Sequence, residues 1–135
     1  MAALTDQRQT ASKELGAKTS LPVAASETIY AGSMVNINSN GYAVSATDSA
    51  TDKGKAFGVA TETVDNSAGS NGDKSIVLQE GLYLFANDGM TQAKLGEDAY
   101  VKDDQTVGAT TTNSVAAGKL IQYVSASEVW ILIRA

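Results

Sequence analysis

The chain has no cysteine and no histidine among its 135 residues. Without cysteine it can form no disulfide bond, thiolate nucleophile or thiolate metal site. Without histidine it lacks the usual general base, and binding of zinc, copper or haem is disfavoured. These two absences argue against most hydrolases and transferases. We therefore predict a protein that is not an enzyme and that needs no metal and no cofactor.

Clusters of positive charge and long apolar runs are also missing. The formal net charge is -5, and no window gathers lysine and arginine on one face. This charge disfavours direct binding to nucleic acid or to an anionic membrane. No stretch approaches the roughly 18 consecutive apolar residues that would span a bilayer, and residues 1–18 lack the apolar centre of a secretory signal. We predict no nucleic-acid partner and no membrane association.

The residues that are present favour an all-β domain. Hydrophobic residues make up 43% of the chain and aromatic residues only 6%, so the apolar side chains are mostly aliphatic. They occur in short runs separated by glycine, serine, asparagine, aspartate and threonine, which is typical of β-proteins. The length fits one domain. We predict about eight to ten short strands that form a small β-barrel or β-sandwich.

Residues 74–87, KSIVLQEGLYLFAN, carry the clearest strand pattern. Apolar residues recur with a period of two, which indicates a strand and not a helix. The pattern predicts one long bent strand, or two strands that meet at Gly81, because glycine inside a strand often marks a bulge or a bend. The residues expected to face the core are Ile76, Leu78, Leu82 and Leu84.

Two hairpins are predicted elsewhere in the chain. Asn40-Gly41 is a strong signal for a two-residue turn, because both central positions of a type I′ turn need positive φ. The second hairpin closes the chain, with residues 119–124 and 128–133 as its strands. Both faces of this last hairpin are largely apolar, which predicts that it is either sandwiched inside the domain or pressed against another subunit.

Residues 1–20 differ from the rest of the chain and predict a flexible N-terminal arm, with residues 21–135 as the globular domain. The arm has too few large aliphatic side chains to form a core of its own. A short helix over residues 5–15 is an alternative, although it would have little apolar surface to dock. Pro22 then marks the approach to the domain, since the residue before a proline favours extended geometry.

The densest acidic cluster is Asp103-Asp104, with Glu97-Asp98 nearby. Carboxylates bind hard cations such as calcium, but a calcium loop spaces its ligands at alternate positions around a glycine, and this segment does not. A pair of carboxylates can also hydrolyse glycosides, yet one tryptophan is poor provision for a sugar-binding cleft. We interpret Asp103-Asp104 as a solvated turn.

The order of these pieces resembles the capsid decoration, or cement, proteins of tailed bacteriophages. The resemblance covers essentially the whole chain, and its specificity lies in the order and spacing of motifs that are weak individually. The matching motifs are LTDQRQT (4–10), SLPVAA (20–25), IYAGSMVNINSNGYAV (29–44), FGVATETVDNSAGSNGD (57–73), EGLYLFAND (80–88), AYVKDDQTV (99–107) and the closing aliphatic hairpin.

The resemblance implies a structural virion protein on the outer face of an icosahedral capsid, made in the host cytoplasm. Its partner would be the major capsid protein, whose neighbouring capsomers are braced by the arms. The arm residues expected to bind the capsid are Leu4, Thr5, Arg8, Thr10 and Leu15. Arg8 is the expected ion-pairing group, since its planar fork can hold a carboxylate with two hydrogen bonds.

A homo-oligomer, most simply a trimer, is also expected, because a small monomer can bury only one face of the last hairpin well. The candidate interface residues are Tyr123, Trp130 and Leu132. The alternative function is a carbohydrate-binding or adhesive β-module displayed on a surface. That function would use Tyr30, Tyr42, Tyr83 or Tyr100.

Overall fold

The computed structural model describes residues 2–52, 55–112 and 115–134, except for the side chains of residues 12–15. Within these ranges the chain forms eleven strands, and the predicted all-β fold is confirmed. The strands are β1 (Ser12–Pro22), β2 (Glu27–Ile29), β3 (Met34–Ile37), β4 (Ala43–Ser45), β5 (Gly58–Ala60), β6 (Val64–Asn66), β7 (Ser75–Asp88), β8 (Asp98–Asp103), β9 (Thr106–Gly108), β10 (Ala116–Tyr123) and β11 (Glu128–Ile133). The same ranges contain one 3₁₀ turn, Gln92–Lys94, and no helix long and apolar enough to cross a membrane.

Five of the strands close into a barrel, so the fold is the barrel and not the sandwich of the two predicted architectures. The strand order β11-β10-β8-β9-β7 is closed by a further pairing of β11 with β7. All pairs in the ring are antiparallel except β7 with β9, which are parallel. The sheet continues from β7 through β5 and β3 to β4, while β2 and β6 form a separate two-stranded sheet.

The long strand β7 joins the barrel to the rest of the sheet. On one edge it pairs first with β5 and then with β11, and the change of partner falls between Gln79, opposite Val59, and Gly81, opposite Ile133. On the other edge it pairs first with β1 and then with β9. Of the two predicted alternatives, one long strand that runs through Gly81 is confirmed, and two strands that meet there are not found.

Two hydrophobic clusters lie on opposite faces of this sheet. The barrel cluster consists of Met34, Ala46, Ala56, Val59, Tyr83, Phe85, Met90, Ala99, Val101, Val107, Val115, Ala117, Leu120, Val129, Ile131 and Ile133. The second cluster consists of Val23, Ile29, Val35, Ile37, Ala43, Ala60, Val64, Ile76 and Leu78. Neighbouring residues of β3 and β5 belong to different clusters, because successive side chains of a strand point to opposite faces.

The predicted core face of β7 is right in its first half and wrong in its second. Ile76 and Leu78 are buried in the second cluster. After Gly81 the buried apolar side chains are Tyr83 and Phe85, in the barrel cluster, while Leu82 and Leu84 are only half-buried. The period of two is kept along the strand, but the face that is covered changes from one side to the other. The prediction was wrong there because it placed all four residues against a single core.

The secondary structure of the N-terminal region also differs from the prediction. Residues 12–22 form a strand along β7, so the helix over residues 5–15 is wrong and the proposed boundary at residue 20 falls inside β1. The strand forms because the edge of β7 offers partners to its backbone N–H and C=O groups. We call residues 2–11, which precede β1, the N-terminal segment. Mobility of this region in the free protein stays a prediction.

The hairpin predicted at Asn40-Gly41 is confirmed, with a longer loop than expected. Strands β3 and β4 pair antiparallel, from Ile37 opposite Ala43 onward, and the loop between them covers residues 38–42. Gly41 takes a positive φ of 89°, but Asn40 does not, so the turn is not type I′. The side-chain oxygen of Asn38 accepts hydrogen bonds from the backbone N–H groups of Asn40 and Tyr42, which stabilises the wider loop.

Candidate functional site

The closing strand presents apolar side chains on the outside of the barrel. Val129, Ile131 and Ile133 are buried, so the alternate residues Trp130 and Leu132 point outward and are half-buried. In the neighbouring strand β7, Leu84 lies opposite Trp130 and Leu82 lies opposite Leu132. Directly opposed residues of an antiparallel pair point to the same side of a sheet.

We call Leu82, Leu84, Trp130 and Leu132 the outer apolar face. On the β10 side this face is bordered by polar residues, since exposed Gln122 lies opposite Trp130 and exposed Lys119 lies opposite Leu132. An irregularity in β10 between Leu120 and Gln122 leaves Ile121 40% exposed. On its β10 side the outer apolar face is thus bordered by two polar residues and by the exposed Ile121. An apolar centre with a polar rim is the usual anatomy of an interface.

The three residues predicted as an oligomer interface do not share one face. Trp130 and Leu132 belong to the outer apolar face. Tyr123 lies opposite Val129, the inward-facing residue, and packs against the barrel cluster. A role in self-association stays a prediction for these residues, and the geometry places Tyr123 on the other side of the hairpin from the remaining two.

The start of the N-terminal segment is held by the turn between β8 and β9. The backbone N–H of Leu4 donates to Oδ1 of Asp104 at 2.9 Å, and Nε2 of Gln105 donates to the carbonyl of Ala2 at 2.6 Å. Asp104 is only 3% exposed and also accepts a hydrogen bond from the Ser45 hydroxyl at 2.9 Å. The interpretation of Asp103-Asp104 as a solvated turn is therefore wrong for Asp104, whose carboxylate is buried between the segment and β4.

The remainder of the segment crosses the end of the β2–β3 loop. The backbone N–H of Arg8 donates to the carbonyl of Ala31 at 2.9 Å, and the Thr10 hydroxyl donates to the carbonyl of Gly32. At the end of the segment, the carbonyl of Ala11 accepts from the backbone N–H of Leu84 at 2.9 Å. The segment therefore leads directly into β1 beside the outer apolar face.

Gly32 permits this close crossing. A Cβ built on Gly32 would lie 2.2 Å from the carbonyl oxygen of Arg8 and 2.5 Å from Oγ1 of Thr10. Its φ of 89° lies in the left-handed region that favours glycine. Glycine meets both requirements at position 32, because it adopts positive φ without strain and has no Cβ to collide with the segment.

Two charged groups of the segment's contact surface are perturbed by burial. Burial raises the pKa of Asp104 above its ordinary value, and the hydrogen bonds from Leu4 and Ser45 oppose that change. Burial lowers the pKa of Arg8, while the negative charges of Glu128 and Asp104 oppose that change. Arginine still keeps its charge at neutral pH, so the segment brings a cation towards two carboxylates of the body.

The five predicted arm residues have different surroundings. Leu4, Arg8 and Thr10 are half-buried against the body, and Thr5 is exposed. The side chain of Leu15 lies outside the described part of the structure. Sequence reasoning identified the segment but missed its contacts on the body, namely Gly32, Asp104 and Gln105. The motifs YAG and KDDQT contain them, but only the fold brings these motifs next to the segment.

A groove of about 680 Å³ with a mixed polar and apolar lining lies between the N-terminal segment and strands β5 and β7. Several of its polar side chains are already engaged within the chain. Thr61 donates to the carbonyl of Val77 at 2.9 Å, Gln79 donates to the carbonyl of Gly16 at 3.2 Å, and Thr63 donates to Gln7 at 3.3 Å. These hydrogen bonds within the chain leave fewer polar groups of the groove available to bind a ligand.

The tyrosines named for carbohydrate binding have unlike surroundings. Tyr83 is 5% exposed in the barrel cluster, and its hydroxyl donates to the carbonyl of Gln79 at 3.1 Å, so it is not a surface aromatic residue. Tyr30, Tyr42 and Tyr100 are half-buried and belong to three separate segments of the chain.

No group of three or more aspartate, glutamate, cysteine or histidine residues is arranged to hold a metal ion in the portion of the chain that the structure describes. Comparison of the chain with models of protein families, with curated proteins and with solved structures found no match.

Proposed function

We propose that this protein is a structural virion protein that binds the outer surface of an icosahedral phage capsid and stabilises contacts between subunits of the major capsid protein. The observation that carries the proposal is the outer apolar face, which lies beside the extended N-terminal segment and β1. The sequence resemblance to cement proteins gives the proposal its specific form. The protein would be made in the host cytoplasm and would then reside on the virion surface.

The outer apolar face supports a role in assembly. Two leucines, a tryptophan and a third leucine lie next to one another on the barrel exterior, and contiguous apolar surface of this kind marks interaction sites. Tryptophan is enriched among the residues that contribute most to binding at interfaces. Contact with the capsid, or with further copies in a homotrimer, would remove this surface from water.

Removal of residues 2–10 tests the contribution of the segment to capsid binding. This deletion leaves β1 intact, whereas deletion of residues 2–18 also removes most of the strand paired with β7 and is expected to lower the melting temperature. We expect the 2–10 deletion to weaken co-sedimentation with purified capsid shells lacking the protein by about tenfold or more, equal to about 1.4 kcal/mol per subunit. Binding at full strength would mean that the body alone holds the shell.

Trp130→Ser tests the outer apolar face, with Gln122→Ser as its matched control on the opposing strand position. The first substitution removes a large half-buried apolar side chain, and the second removes an exposed polar one. We expect Trp130→Ser to reduce shell binding by about tenfold or more and Gln122→Ser to leave it nearly unchanged. Sedimentation velocity of the free variants then separates an effect on trimer formation from an effect on the shell contact.

A further inference from the structure

Backbone groups dominate the attachment of the N-terminal segment to the body. The N–H groups of Leu4 and Arg8 are donors, and the carbonyl of Ala2 is an acceptor. On the body, the carboxylate of Asp104 and the carbonyl of Ala31 accept from these N–H groups, and the side-chain amide of Gln105 donates to the Ala2 carbonyl. The carbonyl of Gly32 accepts from the Thr10 hydroxyl, and we call Ala31, Gly32, Asp104 and Gln105 the seat. The segment crosses Gly32 so closely that no side chain would fit at position 32. The fold therefore accommodates the extended backbone of the segment at this position.

Few side chains of the N-terminal segment are buried against the body, so the free energy that holds the segment there is small. Of the residues that precede β1, only Leu4, Arg8 and Thr10 are half-buried, and the others that the structure describes are exposed. The net contribution of each hydrogen bond to stability is small, while fixing the backbone of each residue costs conformational entropy of comparable size. Segments with few buried apolar contacts open at low free energy. We therefore expect the segment to open from the body at a low but measurable free energy.

Some of the groups that the segment could offer to a partner are engaged with the body in the seated state. Arg8 is the cation expected to pair with a carboxylate of a partner, and in the seated state it lies near Asp104 and Glu128 and contacts Gln105 through Nη1 at 3.5 Å. The backbone N–H groups of Leu4 and Arg8 are likewise engaged with the body. A partner that binds these donors would therefore compete with seating.

We propose that the free protein stores residues 2–11 on its own body, in the seat around Gly32, and that attachment to the capsid requires the segment to leave this seat. The inference rests on the proposed function. Storage keeps the segment on the body until the protein meets a shell. Because only open molecules can bind, the apparent affinity equals the intrinsic affinity multiplied by the fraction of open molecules.

Gly32→Ala and Gly41→Ala form a matched pair for the test. Both glycines have a φ of 89°, so both substitutions place an alanine in the left-handed region. A Cβ at position 32 collides with Arg8 and Thr10, while a Cβ at position 41 meets nothing within 4 Å. Any difference between the variants beyond the backbone strain of that region reports on the segment.

Hydrogen exchange of the full-length protein without shells is the first measurement. We expect the amides of Leu4 and Arg8 to be protected in the wild type, and their exchange to accelerate about tenfold or more in Gly32→Ala but not in Gly41→Ala. Gln105→Ala, which removes the contact with Ala2, is a second variant and is expected to accelerate exchange at Leu4. Unprotected amides in the wild type, or equal exchange in the two glycine variants and in Gln105→Ala, would overturn storage.

Binding to purified shells that lack the protein is the second measurement. Because Gly32→Ala opens the segment in advance, we expect it to bind with up to about tenfold higher apparent affinity than Gly41→Ala. Equal or weaker binding would overturn the competition between seat and shell. If no form of the protein bound shells, the proposed function and the release step would both fail, while hydrogen exchange would still decide whether the segment is stored.

Discussion

The barrel and the N-terminal part of the sheet are stabilised in different ways. Most of the barrel cluster comes from a closed ring of strands, each of which pairs with a neighbour on both edges. The second cluster is covered by β2 to β6, which are only three or four residues long, and by the loops that join them. Short strands offer few ladder hydrogen bonds, and side chains in the loops supply much of the rest.

One buried asparagine in each region shows the difference. In the N-terminal part, Nδ2 of Asn66 donates to the carbonyls of Ala24 at 2.9 Å and Ser70 at 3.1 Å, and it joins two loops that have no strand pairing with each other. In the barrel, Asn87 is itself paired with Val107 in the β7–β9 ladder, and its side chain bonds to Met90 and Ser125. We infer that packing dominates in the barrel and that loop hydrogen bonds matter more in the N-terminal part.

The largest expected effect comes from the chain's two phenylalanines, one in each region. Phe85 is fully buried in the barrel cluster, with its ring centroid 6.3 Å from that of Tyr83, whereas Phe57 is half-buried at the second cluster. We expect Phe85→Ala to lower the free energy of unfolding by about 3–5 kcal/mol and Phe57→Ala by about 1–2 kcal/mol. Denaturant unfolding measures both, and equal losses would contradict the difference between the regions.

A glycine in each region sharpens the comparison of packing. A Cβ on Gly118 in the barrel would lie 2.1 Å from the carbonyl oxygen of Leu132, while a Cβ on Gly16 in β1 would make an ordinary contact at 3.5 Å with Glu80. We expect Gly118→Ala to cost about 1–3 kcal/mol of unfolding free energy. Gly16→Ala is expected to be neutral or to stabilise by up to about 1 kcal/mol. Thermal unfolding of the two variants is the check, and tolerance of Gly118→Ala would show that the barrel is loosely packed there.

The two asparagines test where each loop network acts. Asn66→Ala and Asn87→Ala each leave buried carbonyl groups without their donor, which costs about 1–3 kcal/mol. We expect Asn66→Ala to accelerate hydrogen exchange in residues 23–26 and 67–73 without changing the barrel strands. Asn87→Ala should accelerate exchange around Met90 and Ser125. Faster exchange throughout the protein in both variants would mean that the two regions open as one unit.

The smallest effect at neutral pH is expected from Tyr83. Burial raises the pKa of its hydroxyl to about 12 from an ordinary value of 10.0. The folded state therefore holds this proton more tightly than the unfolded state, and the associated stability is present below pH 10 and is lost as the pH rises towards 12. Absorbance titration of tyrosinate should show one late component that Tyr83→Phe removes. Ionisation of all five tyrosines together near pH 10 would contradict the buried position.

Much of the fold follows from local patterns. The predictions that failed depend on contacts between segments that are far apart in the chain. The period of two in residues 74–87 correctly predicts a long strand, and Asn40-Gly41 correctly marks a hairpin. The core assignment fails at Leu82 and Leu84, because a period of two shows which residues share a face and not which face is covered. The N-terminal strand was missed since residues 12–20 have no alternating apolar pattern, and their pairing depends on a free edge of β7.

The contacts of the candidate site could be predicted even less well from the sequence. It pointed to Arg8, Trp130 and Leu132, but it gave no reason to connect Leu4 with Asp104, which is 100 positions away. It also grouped Tyr123 with Trp130, although the register of β10 with β11 turns the two to opposite sides.

By itself, the sequence determined the all-β class, the single long strand and the short runs that build the other strands, because these depend on the alternation of neighbouring residues. Only the tertiary structure decided that the sheet closes into a barrel, that two clusters share β7, and that Gly32 and Asp104 hold the N-terminal segment. The physical reason is the distance along the chain over which each effect acts. Alternation and turn geometry act over a few residues, whereas closure of the barrel and burial of Asp104 require segments far apart in the chain to meet.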